Sequence, residues 1–153
     1  MDISEGNAAP DFALDDADGN KISLKGLKGK YIALYFYPKD DTPGCTKEAC
    51  NLRDNLGILR KNNVEVIGVS LDDMDSHKKF MAKYTLPFTL LCDTGAEVSK
   101  KYGVYVQKSM YGKKFWGIAR TTFLINPQGK IRKIFRDVDV EHHSQQILDA
   151  IKG

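Results

Sequence analysis

No stretch of this sequence is apolar for long enough to cross a bilayer. The longest run, Tyr31 to Tyr37, is far shorter than the roughly 20 residues a spanning helix needs. The opening M-D-I-S-E-G is polar and acidic, so no secretory or transit leader is expected, and a cytoplasmic location is the corresponding expectation. Charge of either sign is not in large excess: 23 Lys and Arg face 20 Asp and Glu. Nothing resembles the dense basic stripe of a nucleic-acid binder. The Lys100/Lys101 and Lys113/Lys114 pairs therefore read as solubilising charge. Cysteine is scarce and odd in number at three. A chain this long does not need disulfide staples, so reactive thiols in a reducing compartment are the better reading. There is no C-x-x-C and no paired histidine spacing, which argues against a metal centre, a bound cofactor or thioredoxin-type dithiol chemistry. Repeats, linkers and low-complexity segments are missing too, and one domain spanning 1–153 is expected.

What the sequence does contain is centred on Pro38 to Cys50, P-K-D-D-T-P-G-C-T-K-E-A-C. A strand-like run ends on Pro38, and a helix is predicted from about Pro43. Thr42 stands at the N-cap and Pro43 at the first helical position, where its missing N–H costs nothing. Cys45 then falls inside the first turn. Unpaired N–H groups and the helix dipole favour negative charge there, and such surroundings lower a thiol's pKa from about 8.5 toward the range of roughly 3.5 to 7.5. An activated nucleophile is predicted at Cys45. On local grounds alone Thr42 reads equally as a plain helix cap, Pro38 as a strand terminator, Arg120 as a surface residue and Cys50 as a small buried hydrophobe.

Taken in order, Asn7 to Leu24 predicts two short strands around a Gly-containing turn. Tyr31 to Tyr37 is a continuous apolar run expected of a strand buried on both faces. Pro43 to about Lys61 places Ala49, Leu52, Leu56 and Leu59 at helical spacing. Val64 to Leu71 predicts a second buried strand, parallel to the first. A helix is expected from about Asp75 to Tyr84 with Phe80, Met81 and Tyr84 on its apolar face, then a short strand at Phe88 to Cys92 and a short helix at Ala96 to Tyr102. Val104 to Gly117 fits either a hairpin or an irregular loop. Arg120 to Ile125 and Lys130 to Phe135 flank the turn N-P-Q-G as an antiparallel hairpin, and a last helix near Val140 to Lys152 presents Ile147, Leu148 and Ile151. Without the first hairpin and the inserted strand and helix, this is the element order of the thioredoxin fold, an α/β class. His77, His142 and His143 read as solvated helix residues, Cys92 as a core thiol at a strand end, and Glu48 either as solvent-facing or as support for Arg120.

Pro38, Thr42 and Cys45 match P-x-x-x-T-x-x-C, and T-P-G-C-T-K-E-A-C adds a cysteine five positions on. With A-P-D-F-A-L near the start and K-S-M-Y-G-K-K-F-W-G-I-A-R-T-T-F-L-I-N-P-Q-G-K-I further along, the chain resembles the peroxiredoxins of the bacterioferritin comigratory protein (peroxiredoxin Q) subgroup over nearly its whole length. Tyr105, where many relatives carry tryptophan, and Cys92 depart from the pattern. The resemblance implies a peroxidase for hydrogen peroxide and organic hydroperoxides, with Cys45 peroxidatic and Pro38, Thr42 and Arg120 around it. It further implies Cys50 as the thiol that resolves the sulfenic acid, a thioredoxin-type reductant, and a monomer.

A low thiol pKa gains little by itself, because nucleophilicity falls along with it, with a Brønsted slope of about 0.4–0.5. Preorganised donors toward the leaving oxygen must supply most of the acceleration. Residues five apart in an intact helix have Cα atoms roughly 8–9 Å apart, beyond the roughly 7 Å limit of a disulfide. A Cys45–Cys50 bond therefore requires the start of this helix to unwind.

Overall fold

In the computed structural model, which describes residues 3–153, the chain opens with a hairpin of β1 (Ala13–Asp16) and β2 (Lys21–Ser23). There follow β3 (Tyr31–Phe36), α1 (Pro43–Asp54), α2 (Leu56–Lys61), β4 (Val64–Ser70), α3 (Met74–Tyr84), β5 (Thr89–Cys92) and α4 (Glu97–Lys101). The remainder is β6 (Tyr105–Met110), β7 (Lys113–Ile118), β8 (Thr121–Ile125), β9 (Ile131–Phe135) and α5 (His143–Lys152). Seven strands form one mixed sheet in the order β2-β1-β5-β4-β3-β8-β9, and β6 and β7 pair apart from it. β3 runs parallel to β4 and antiparallel to β8, and β4 runs parallel to β5. The strand at Thr89–Cys92 is thus no appendage: it joins the thioredoxin-like centre to the N-terminal hairpin through its antiparallel pairing with β1.

The apolar run at β3 is buried on both sides, as its continuity predicts. Ala33, Tyr35 and Tyr37 point into a core shared with α1, α2, α3 and α5. Ile32, Leu34 and Phe36 point into the opposite core with Tyr102, Val104, Ile118 and Phe123. This alternation follows from the two-residue period of a strand. Tyr35 lies against Gly68, its register partner on β4, where an added Cβ would come within 2.8 Å of the ring. Glycine is required there for close packing rather than for its dihedral freedom.

One expectation is revised, and one choice left open is settled. The helix predicted from Pro43 to Lys61 is interrupted at Asn55, whose φ of −114° and ψ of 13° break the regular geometry. The Asn55 side-chain amide donates to the Asn51 carbonyl at 2.8 Å, the local competition with backbone bonding that disfavours asparagine inside helices. The segment left open at Val104–Gly117 is a hairpin. Tyr111 and Gly112, both at positive φ (53° and 77°), form its two-residue turn, the conformation that suits the twist of paired strands. Among the described residues no helix is long and apolar enough to cross a membrane.

Candidate active site

α1 carries Cys45, Glu48, Ala49 and Leu52 as its buried residues, the i, i+3, i+4, i+7 stripe that faces a core. Cys45 is therefore held against the sheet at the helix start and is only 1% exposed. Arg120 reaches it from the residue before β8. One guanidinium nitrogen, Nη2, donates to Cys45 Sγ at 3.3 Å, and the other, Nη1, donates to Glu48 Oε1 at 2.6 Å. The planar fork of arginine makes this double engagement possible from one fixed position. Gly44 leaves room for it, because a Cβ there would stand 3.1 Å from Nη2.

Glu48 settles the choice left open by the sequence. It is fully buried and supports Arg120. Burial raises its pKa to about 7 against the opposing pull of the Arg120 charge. Its second oxygen, Oε2, has no hydrogen-bond partner among the described residues, and His143 Nε2 lies 4.0 Å away. The Tyr35 hydroxyl nearby is likewise buried without a partner.

The other residues singled out in the sequence flank Cys45 along the chain, with one correction. Thr42 has the extended backbone of an N-cap (φ −96°, ψ 156°), but its hydroxyl makes no cap bond and donates to the Lys39 carbonyl at 2.8 Å. Its proton is thereby committed to the loop. Pro38 closes β3, half-buried, and contributes no N–H of its own. Cys50 lies half-buried on the same unbroken helix, its thiol free.

Two histidines read as solvated are in fact buried. His143 is fully enclosed and accepts from Thr122 Oγ1 at 2.7 Å while donating to Gln146 Oε1 at 2.7 Å. Burial holds it neutral, with its pKa lowered to about 4. His77 is equally enclosed: Nδ1 meets Asp40 Oδ2 at 2.7 Å and Nε2 meets the Leu91 carbonyl at 2.9 Å. A carbonyl and a carboxylate both accept, so both ring nitrogens donate and the ring is an imidazolium. Burial pulls its pKa down, but the Asp40 hydrogen bond and charge outweigh that and raise it. Asp40 also accepts from Ser76, and its backbone N–H donates to Asp72. The loop carrying Pro38 and Thr42 is thus pinned from below. Of the three, only His142 is exposed, as expected. No local signal separated these histidines, since Asp40, Leu91 and Thr122, which enclose them, lie 14 to 37 residues away.

Cys92, at the end of β5, is half-buried, and burial together with the charges of Asp15, Asp40, Asp73 and Asp16 raises its pKa to about 11. This thiol resists ionisation.

Cys45 Sγ thus sits at a helix start beneath an arginine that a buried acid holds. Residues 6–134 match the model of the AhpC/TSA family. The chain belongs to the AhpC/TSA family. A Coxiella burnetii protein named as a peroxiredoxin of the bcp type is 49% identical over 99% of this chain and 100% of its own. The structure of a Xylella fastidiosa PrxQ cysteine-to-serine mutant superposes with a TM-score of 0.92 at 32% identity, covering 99% of this chain and 97% of that one. A Xanthomonas campestris bacterioferritin comigratory protein, described for its alkyl peroxide reduction activity, gives a TM-score of 0.86 at 35% identity over 92% of this chain and 90% of that one. The resemblance to the peroxiredoxin Q subgroup and to its fold is thereby borne out. The chain is a peroxiredoxin, a peroxidase that acts on hydroperoxides with a thiol reductant.

Proposed function

We propose that Cys45 is the peroxidatic thiol of this peroxiredoxin and that Arg120, Thr42 and Pro38 complete its site. The observation that carries the reading is the Arg120 fork, which joins Cys45 Sγ to the buried Glu48. The thiolate attacks one oxygen of a hydroperoxide, the O–O bond breaks, and sulfur becomes a sulfenic acid. The leaving alkoxide or hydroxide develops its charge beside the guanidinium and takes up a proton to depart as alcohol or water. Thr42, its own proton given to Lys39, accepts the hydroperoxide O–H and aligns the bond. Pro38 presents no N–H to compete for the substrate. Alkyl peroxide reduction, the activity named for the Xanthomonas campestris relative, fits the same chemistry.

Cys50 is the proposed resolving thiol. It attacks the sulfenic sulfur, expels water and leaves an intramolecular disulfide once the first turns of α1 have unwound. A thioredoxin-type dithiol then takes the disulfide back to two thiols. The working unit is a cytoplasmic monomer of one domain, 1–153. Titration of the reduced protein with peroxide, followed by mass spectrometry, should locate one added oxygen on Cys45 and then loss of water as Cys45 and Cys50 join. Unchanged peroxide turnover in Cys45→Ser would overturn the assignment.

A further inference from the structure

The β6–β7 hairpin leaves large apolar side chains uncovered at its tip and on both faces, Met110 and Phe115 on one and Trp116, stacked on Tyr105, on the other. Met110, Tyr111, Phe115 and Trp116 are between 41% and 99% exposed within a span of seven residues. Exposed apolar clusters of this kind mark interaction sites, and tryptophan and tyrosine are prominent among the residues that anchor interfaces. The chain segment that carries the hairpin has one sign of charge: from Val98 to Arg120 there are five lysines and one arginine and no acidic residue.

Its register fixes which groups lie together. Lys108 is opposite Phe115 and Met110 is opposite Lys113, and directly opposed residues share a face. Gly117 lies on that face too: a Cβ there would be in ordinary contact with the Phe115 ring at 3.5 Å and the Lys108 stem at 3.6 Å. Lys108 in turn lies close enough to the site that the charges of Arg120 and Cys45 act on its amine. The base of the hairpin is locked into the core through Ile118 and through the bond from the Ala119 N–H to the Val104 carbonyl. Arg120 is the next residue. The patch and the guanidinium over Cys45 are thus one continuous piece of chain.

We propose that the β6–β7 hairpin is the docking surface for the protein dithiol that reduces the Cys45–Cys50 disulfide, a partner with an apolar, acidic rim around its attacking cysteine. The inference rests on the reductant named under the proposed function. In that step the partner's thiolate attacks one sulfur, the Cys45–Cys50 bond breaks and a mixed disulfide forms. The partner's second thiol then displaces the enzyme sulfur, so two electrons pass to the enzyme and the partner leaves as a disulfide. Such an approach must cross the protein surface beside the site, where this patch lies. A second copy of the chain fits less well, because a two-fold contact through the hairpin would set Lys113 and Lys114 against their own equivalents.

The test compares wild type, Lys113→Glu/Lys114→Glu and Phe115→Ser/Trp116→Ser, each verified as folded by circular dichroism. Peroxide turnover is driven either by dithiothreitol or by a bacterial thioredoxin. Both variants should keep dithiothreitol-driven turnover within about twofold of wild type while KM for thioredoxin rises about tenfold or more, the loss expected from removing interface anchors. Wild-type KM should also rise with salt, and the charge-reversed variant should lose that dependence. An unchanged thioredoxin KM in both variants overturns the docking surface while leaving the reductant reading intact. A wild type reduced by dithiothreitol but not by thioredoxin overturns both. Equal losses with both reductants would assign the hairpin to the peroxide step and overturn the proposal. So would a concentration-dependent dimer that Phe115→Ser/Trp116→Ser dissolves with KM unmoved.

Discussion

At Gly44 one added carbon is enough to meet the Arg120 fork. An alanine there places a methyl 3.1 Å from Nη2, and the guanidinium must yield. Alanine is also the better helix former, by roughly 0.5–1 kcal/mol. Gly44→Ala should therefore leave thermal stability equal or slightly higher while kcat/KM for peroxide falls on the order of ten- to a hundredfold, the usual result of misplacing a catalytic group. A stopped-flow peroxide assay beside a melting curve checks the opposite signs. Beneath the fork, two buried groups titrate against each other. Folding raises Glu48 from 4.5 to about 7, so its contribution to stability is present at low pH and is lost as pH rises through that interval. Folding lowers His143 from 6.5 to about 4, so its contribution is present above 6.5 and is lost as pH falls through that interval. In the overlap the two slopes oppose. Glu48→Gln should remove one of them, so that denaturant-measured stability climbs more steeply from about pH 4.5 to 6.5 than in wild type. Identical profiles would mean that the carboxyl does not titrate there.

Among the elements, α1 has two demands on it. Its first turn holds Cys45 beneath Arg120, and in the proposed mechanism it opens for Cys45 to reach Cys50 five residues on. Peroxide should accordingly lower the far-UV helical signal of wild type, whereas Cys50→Ser should keep the signal and accumulate the sulfenic acid. The packing of β3 on β4 sets a second limit. Gly68→Ala would drive a methyl into the Tyr35 ring and Leu90, both within 2.8 Å, and should cost roughly 1–3 kcal/mol as an overpacked core does. Chemical denaturation measures it. The strands of the main sheet and the stretch around Cys45 were legible in the sequence because they follow from local patterns: the apolar run of β3, the turn residues of the first and last hairpins, a proline after a capping position. The break at Asn55 was not, because a side-chain amide bonding back one turn leaves no mark on hydrophobic spacing.

Taken as a whole, the molecule sets its site between two buried ion pairs that no spacing rule could disclose. Glu48 with Arg120 lies on one side, and Asp40 with His77 pins the Pro38–Thr42 loop on the other. Each joins residues 37 or more positions apart, so the chain had to fold before they could be seen, and two of the histidines were accordingly misread as solvated. Because folding raises the His77 pKa, the contribution of this pair is complete below the ordinary histidine range and is lost as pH rises through the raised value. His77→Leu should be less stable than wild type in acid and should lack that alkaline decline, which melting temperatures across pH would register. Such measurements need a suitable probe. The chain's single indole, Trp116, stands 57% exposed on β7, already in contact with water before anything unfolds. Its emission should start red-shifted and change little as the protein denatures, so an optical assay that follows melting in most proteins would underreport it here.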